Sequence, residues 1–410
     1  MFPDLYRRIS WAVLTVTWLT VASRVSVAEE HQMVCSEGFG AFTAKSASGV
    51  TVAIDPVRKS GFATRLCSAA LSWKGGSLPV AASVGEVDLD AFGVDLGLGS
   101  LVAAIAVRNV ASDKLMEYQI YSLKHPAQKL RTLTGGDNYE AADKDLDGHV
   151  EIWTNDAGAI DGFENLSLRS YDAAPTVVLR FEKGRLLDVS AEFKTEYDRQ
   201  IAALKRELSA EQLSRFKASD GKLTDRSSLP IAEAHALMDT KVKVLEMVWA
   251  YLYSGREDEA WSTLAALWPA ADVERIRAAM AKMRAGGMHS RVDGTSTHES
   301  GFHVRRHAAV FEAELDYSKE DPGKNFEVDS APQEILLRRP PPATTTAVSL
   351  GTETVLYMVV DAAGKVRSVK PEGKPDKELL AATAGWKFIP AFKSGQPVAS
   401  HIRYGVAANQ

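Results

Sequence analysis

Cysteine is nearly absent from this chain of 410 residues, occurring only as Cys35 and Cys67. No CxxC redox pair exists, and nothing beside either residue marks a reactive nucleophile. The chain also lacks a serine nucleophile elbow, a glycine-rich phosphate loop and an HExxH zinc helix. Outside one acidic loop, its carboxylates are scattered along helical faces where solvation explains them. Charge of one sign is missing too. A formal net charge of -5 gives no reason to expect a nucleic-acid partner or attraction to anionic membranes. The apolar stretch Ile9 to Ala22, about 14 residues, falls short of the roughly 20 that span a bilayer.

The composition, 45% hydrophobic and 25% charged, is that of a globular chain with room for two or three domains. Arg7 and Arg8 precede the apolar stretch, and the small residues around Ser26-Val27-Ala28 form a cleavage site, so residues 1–28 read as a secretory signal. The alternative is an uncleaved membrane anchor. In an oxidising compartment Cys35 and Cys67 pair as a disulfide, closing a loop that stabilises by roughly 3 to 4 kcal/mol in the chain-entropy model. Two buried free thiols are the competing reading.

Residues 29–189 are β-rich. Leu101 to Val107, Leu115 to Leu123 and Lys129 to Leu133 run at meander spacing, and Thr176 to Phe181 with Leu186 to Val189 reads as a hairpin. Roughly 150 residues suits a sandwich or a few stacked antiparallel sheets better than a complete propeller. Within this part lies Asp143-Lys144-Asp145-Leu146-Asp147-Gly148-His149-Val150-Glu151. Carboxylates at alternate positions of a tight turn aim several oxygens at one point, Gly148 permits the reversal, and the His149 carbonyl and Glu151 can complete a shell of hard donors. A structural Ca²⁺ suits such a set. Thr154 stands where an EF-hand needs its bidentate Glu, and the loop instead resembles the calcium loops between strands of FG-GAP or VCBS-type repeats. An acidic turn without metal is the other reading.

Residues 190–287 switch to helical period. Phe193, Tyr197, Ile201, Leu204 and Leu208 form one stripe, Ser209 to Gln212 has the form of a capping box, and Pro230 opens a longer helix ended by Gly255. Its expected buried stripe is Ile231, Ala234, Met238, Val242, Leu245, Trp249 and Leu252. Ala260, Leu264 and Leu267, then Val273, Ile276, Met280 and Met283, mark two more helices. One hairpin here resembles a tetratricopeptide repeat, but no second copy appears, and a plain helical bundle accounts for the pattern. Residues 288–349 form a mixed connecting segment. Glu334 to Leu337 reads as a strand, His303 and His307 share a face if helical without a third zinc ligand at useful spacing, and Arg338 to Thr346 reads as a proline-rich spacer.

Residues 350–410 give the sharpest pattern. Val355, Tyr357 and Val359 alternate with Leu356, Met358 and Val360, Ala363-Gly364 turns the chain into Lys365 to Val369, and Pro375-Asp376 opens a helix with Leu379, Leu380, Thr383 and Trp386 on one face. Strands follow on both sides of Gly395, for a β-β-α-β-β order. The runs Asp361-Ala362-Ala363-Gly364-Lys365-Val366, Trp386-Lys387-Phe388-Ile389-Pro390-Ala391 and Gly395-Gln396-Pro397-Val398 resemble the C-terminal domain of the TonB family. That resemblance implies a bacterial periplasmic module that binds a protein partner of the cell envelope by β-strand addition. It designates Ala399, Ser400, His401, Ile402, Arg403, Tyr404, Gly405 and Val406 as the edge strand for docking, with Trp386, Phe388 and Phe392 as core anchors. The chain departs from the family in having no Tyr-Pro pair before the first strand and no long Pro-Lys arm.

The sequence therefore predicts an α+β multidomain protein: an antiparallel β-rich N-terminal domain, an all-α middle and a small βαβ TonB-like C-terminal domain. Its expected role is that of an exported periplasmic, non-enzymatic binding protein. A TonB-type energy transducer would require residues 9–22 to remain as a membrane anchor, and a secreted hydrolase with an accessory module would require an active site assembled by folding.

Overall fold

Short alternating strands separated by tight turns make three consecutive four-stranded meanders in the computed structural model, which describes residues 35, 41–57, 66–110, 115–166, 173–224, 229–296, 309–313, 327–336, 354–373 and 377–406. The first holds β1 (Phe42–Lys45), β2 (Thr51–Val57), β3 (Leu66–Trp73) and β4 (Gly76–Val84). The second holds β5 (Glu86–Val94), β6 (Val102–Arg108), β7 (Glu117–Ser122) and β8 (Gln128–Thr134). The third holds β9 (Tyr139–Ala142), β10 (Glu151–Asn155), β11 (Thr176–Glu182) and β12 (Arg185–Asp188), extended in parallel by β13 (Gly294–Thr295) from the connecting segment. A short α1 (Ala157–Ile160) follows β10.

These sheets stack, and β6 shows how. Its Ala103, Ile105 and Val107 pack with Val52, Ile54 and Leu71 of the first sheet, while Val102, Ala104 and Ala106 share a core with Ile152, Val177 and Leu179 of the third. Alternate side chains of one strand point to opposite faces, so a strand covered on both reads as a continuous apolar run. The few stacked antiparallel sheets expected from the strand count are present, and the β11–β12 turn is tighter than the four residues between the expected strands, spanning only Lys183 and Gly184.

The second core continues without a break into the helices α2 (Lys194–Glu207), α3 (Ala210–Lys217), α4 (Ile231–Tyr253), α5 (Glu257–Leu267) and α6 (Val273–Gly286). Ser209 caps α3 by accepting the Gln212 N–H, as the capping box predicts. On α4 the expected stripe holds in part: Leu245, Trp249 and Leu252 are buried, and Ala234, Met238 and Val242 are half-buried. Ile231 is 76% exposed, and the buried set is Leu237, Thr240, Lys241, Val244, Leu245, Met247, Val248, Trp249, Ala250, Leu252 and Tyr253. The helix is buried on more than one face, which erases a single-stripe period. The fully buried Lys241 is held by Glu164 at 2.9 Å, and Glu164 also accepts from Arg275 Nη2 at 3.2 Å.

After β14 (Phe311–Glu312) and β15 (Gln333–Leu336) come β16 (Thr354–Val360), β17 (Val366–Pro371), α7 (Lys377–Ala382), β18 (Lys387–Ile389), β19 (Ala391–Lys393), β20 (Gln396–Val398) and β21 (Ser400–Val406). The terminal sheet has the order β14-β21-β16-β17, with Trp386, Phe388, Leu356, Met358 and Ile402 in its core. Phe392, expected in that core, is half-buried against the cluster between the first and second sheets instead. The chain is thus mixed α+β, with several antiparallel sheets and seven α-helices among the described residues. Met33–Gln410 is one compact unit, and the boundaries suggested near residues 189 and 349 are not breaks in packing, since Ala362 and Ala363 belong to the core shared by sheets and helices. Residues 1–28, His303, His307 and the proline-rich spacer lie outside the described residues. Among the described residues no helix is long and apolar enough to cross a membrane.

Candidate metal centre and the docked C-terminal module

The acidic loop joins β9 to β10, where two adjacent antiparallel strands need a reversal. Leu146 and Gly148 supply it with φ of 56° and 87°. Asp143, fully buried, organises the turn: its Oδ1 accepts the Asp147 N–H and its Oδ2 the Gly148 N–H, each at 3.0 Å. Asp147 Oδ1 accepts the His149 N–H at 2.8 Å. The loop therefore brings Asp143, Asp145 and Asp147 together, with one oxygen of each within 4.8 Å of the others. The His149 side chain turns outward, its Nδ1 3.3 Å from Asp147.

Glu151 lies at the start of β10 with no side-chain exposure. Arg180 on β11 holds its Oε1 at 3.4 Å and is itself shared with Glu182 and Glu192. Glu151 Oε2 is buried with no hydrogen-bond partner. Burial, then the charges of Asp145 and Asp147, push the Glu151 carboxyl up to about 9. Burial, then Asp361 and Asp147, push Asp143 up to about 7. For Asp147, burial works upward, but hydrogen bonds from His149 prevail and hold it below the usual carboxylate range. Carboxylates crowded out of water around one unpartnered oxygen make a poor apo site. An all-oxygen set of this kind fits a hard cation such as Ca²⁺ better than a soft one.

The residue that the sequence could not attach to this loop is Asp361. It is fully buried, and its Oδ2 accepts the Asp143 N–H at 3.1 Å while its Oδ1 accepts the N–H groups of Ala363 and Lys365 at 2.9 and 2.8 Å. The tight turn before β17 thus rests on the acidic loop. Gly364 is required there: its φ is 79°, and a Cβ would stand 1.8 Å from the Phe388 carbonyl oxygen. From the same turn Lys365 Nζ reaches Asp90 Oδ1 at 2.6 Å, and from β18 Lys387 Nζ reaches Asp88 at 2.9 Å and the Leu89 carbonyl at 3.0 Å. Arg367 contacts Glu140 on β9 at 3.3 Å.

Since β5 and β9 end their sheets, these contacts cover two strand edges with the C-terminal module. Lys365 and Lys387 are therefore buried ion-pair partners inside the chain. The only sequence trace of this was the alternation Val87-Asp88-Leu89-Asp90, acids set among apolar residues of a strand.

The strand Ala399 to Val406 is not the outermost of its sheet. β14 pairs in parallel with Ser400 and His401 through Phe311 and Glu312, and the carbonyls of Ala399 and His401 accept from Phe311 and Ala313. The sheet ends at β14 and β17 because the connecting segment returns to the module and takes this position. Cys35 and Cys67 are joined by a disulfide that ties the residues before β1 to β3. Beside the acidic loop a cleft of about 230 Å³ opens between Asp95, His149, Arg180, Gln396 and Pro397. No protein-family model, curated protein or solved structure matches this chain, so its own geometry is what bears on function.

Proposed function

We propose that the chain is an exported binding protein of the bacterial periplasm, non-enzymatic, whose TonB-like C-terminal module recruits a protein partner of the cell envelope by β-strand addition. The observation that supports it is the parallel pairing of β14 with β21: this side of β21 already accepts an added strand, through the Ala399 and His401 carbonyls, and β14 pairs only with Ser400 and His401. Alternate residues of a strand face the same side, so the backbone groups of Arg403 and Gly405 point that way as well. An extended partner segment prolongs or replaces β14 along Ala399 to Val406. The module is fixed to the stacked sheets by Lys365 and Lys387, which makes it a rigid platform rather than a tethered arm. Arg403→Pro removes one N–H from the docking side and leaves the opposite side for β16. Envelope proteins retained by the wild type should be lost with this variant at a similar melting temperature; the same retained set would refute strand addition here.

In this reading a Ca²⁺ ion is structural, held by the carboxylates of Asp143, Asp145, Asp147 and Glu151 with the His149 carbonyl as a further donor. A chelator should lower the melting temperature, and Asp145→Ala should abolish the difference. An unchanged melt with chelator would leave only an acidic turn.

A further inference from the structure

We infer that divalent-cation binding at the 143–151 loop is coupled to the docking of the C-terminal module onto β5 and β9, with Asp361 as the linking residue. This rests on the calcium reading above. Two independent features point to a cation: three clustered aspartates, and the wholly buried Glu151 Oε2, unpartnered and within electrostatic reach of Asp143, Asp145 and Asp147. A third ties the site to the module. Asp361 accepts the N–H of Asp143, so two fully buried carboxylates of like charge meet where the module lands. Other charges facing this join are Arg367, which pairs with Asp361 at 2.9 Å, Lys144, which reaches Glu140 at 3.1 Å, and Lys365 on Asp90.

Without a cation the loop carboxylates repel Asp361 and oppose docking. A bound cation reverses the sign of that interaction, and Asp361 passes the effect on through the turn it organises, from its hydrogen bond with Lys365 N–H to the Lys365 ammonium on β5. A ligand shifts an equilibrium only by its differential interaction with the two states, and here the difference is the field at Asp361. Linkage is reciprocal, so undocking the module must weaken cation binding by the same factor.

The test uses the full chain and CaCl₂ alone. Lys387→Met breaks the contact with Asp88 and Leu89 without touching the loop, and calorimetric titration should show Ca²⁺ binding at least about five-fold weaker than in the wild type. In the wild type, Ca²⁺ should slow hydrogen exchange at the Lys365 and Phe388 amides and along β5 as well as in the loop. If Lys387→Met fails to fold, this exchange measurement carries the test. Equal affinity in the variant, or slowing confined to residues 143–151, overturns the coupling while leaving the site standing. Absence of any Ca²⁺ binding by the wild type overturns the calcium reading and the coupling with it.

Discussion

Replacing Lys365 by Met tests whether the C-terminal module is held by buried charge. Asp90 is 3% exposed. Its Oδ2 accepts the Tyr118 hydroxyl at 2.5 Å and the Ala141 N–H at 2.7 Å, while its Oδ1 meets the Lys365 ammonium at 2.6 Å. Methionine keeps most of the volume but leaves the carboxylate with two neutral donors. Removing one member of a buried pair strands the other and costs about 3 to 5 kcal/mol. With an unfolding entropy of about 2.1 cal/mol/K per residue over the compact unit Met33–Gln410, that predicts a fall of about 4 to 6 °C in melting temperature by scanning calorimetry. Adding Asp90→Asn removes the stranded charge while an amide oxygen still accepts from Tyr118 and Ala141, so the double variant should recover part of the loss. A shift below about 1 °C, or a double variant no better than Lys365→Met, would refute the reasoning.

Gly364→Ala should destabilise by at least about 3 kcal/mol, because the added Cβ meets the Phe388 carbonyl. Gly373→Ala, also at positive φ but with nothing within 4 Å, should cost only about 1 to 2 kcal/mol; equal losses in chemical denaturation would show that the clash is relieved. Burial, then the charge of Glu207, pushes Glu246 on α4 up to about 7 from an ordinary 4.5. The folded state then holds a proton that the unfolded state releases, so stability falls as pH rises from about 4.5 to about 7 and stays lower above that. Glu246→Gln should remove this slope. Discounted for partial exposure, the wild type should lose about 1 to 2 kcal/mol relative to the variant between pH 5 and 8 in urea titrations, and parallel pH profiles would contradict the assignment.

What was legible in the sequence was local. The cap at Ser209, the helix stop at Gly255 and the alternate carboxylates of the loop each arise from residues within about ten positions of one another, and the β6-β7-β8 meander pairs only strands adjacent in sequence. The pairing of Lys365 and Lys387 left no local signal because their partners, Asp90 and Asp88, lie 275 and 299 positions away. Lys241 on α4 was opaque for the same reason, its anion being Glu164 on another element. The parallel addition of β14 to β21 was hidden because two residues carry no period. The independence expected of the terminal module failed at Ala362 and Ala363, whose small side chains gave no sign that they join a core made mostly by other sheets and helices.

The separation between Asp90 and Lys365 also has a meaning in time. A chain made from its N-terminus contains every strand of the three stacked sheets long before Lys365 and Lys387 exist. During that interval Asp88 lacks Lys387, and an unpaired charge on the border of β5 discourages a stray strand from adding. An acid that depends on a lysine in the finished protein thus guards the edge while the chain is unfinished. The lysines that pair with Asp90 and Asp88 come only with the last tenth or so of the sequence, so pairing them closes loops of 275 and 299 positions, the kind of contact that costs most entropy to form.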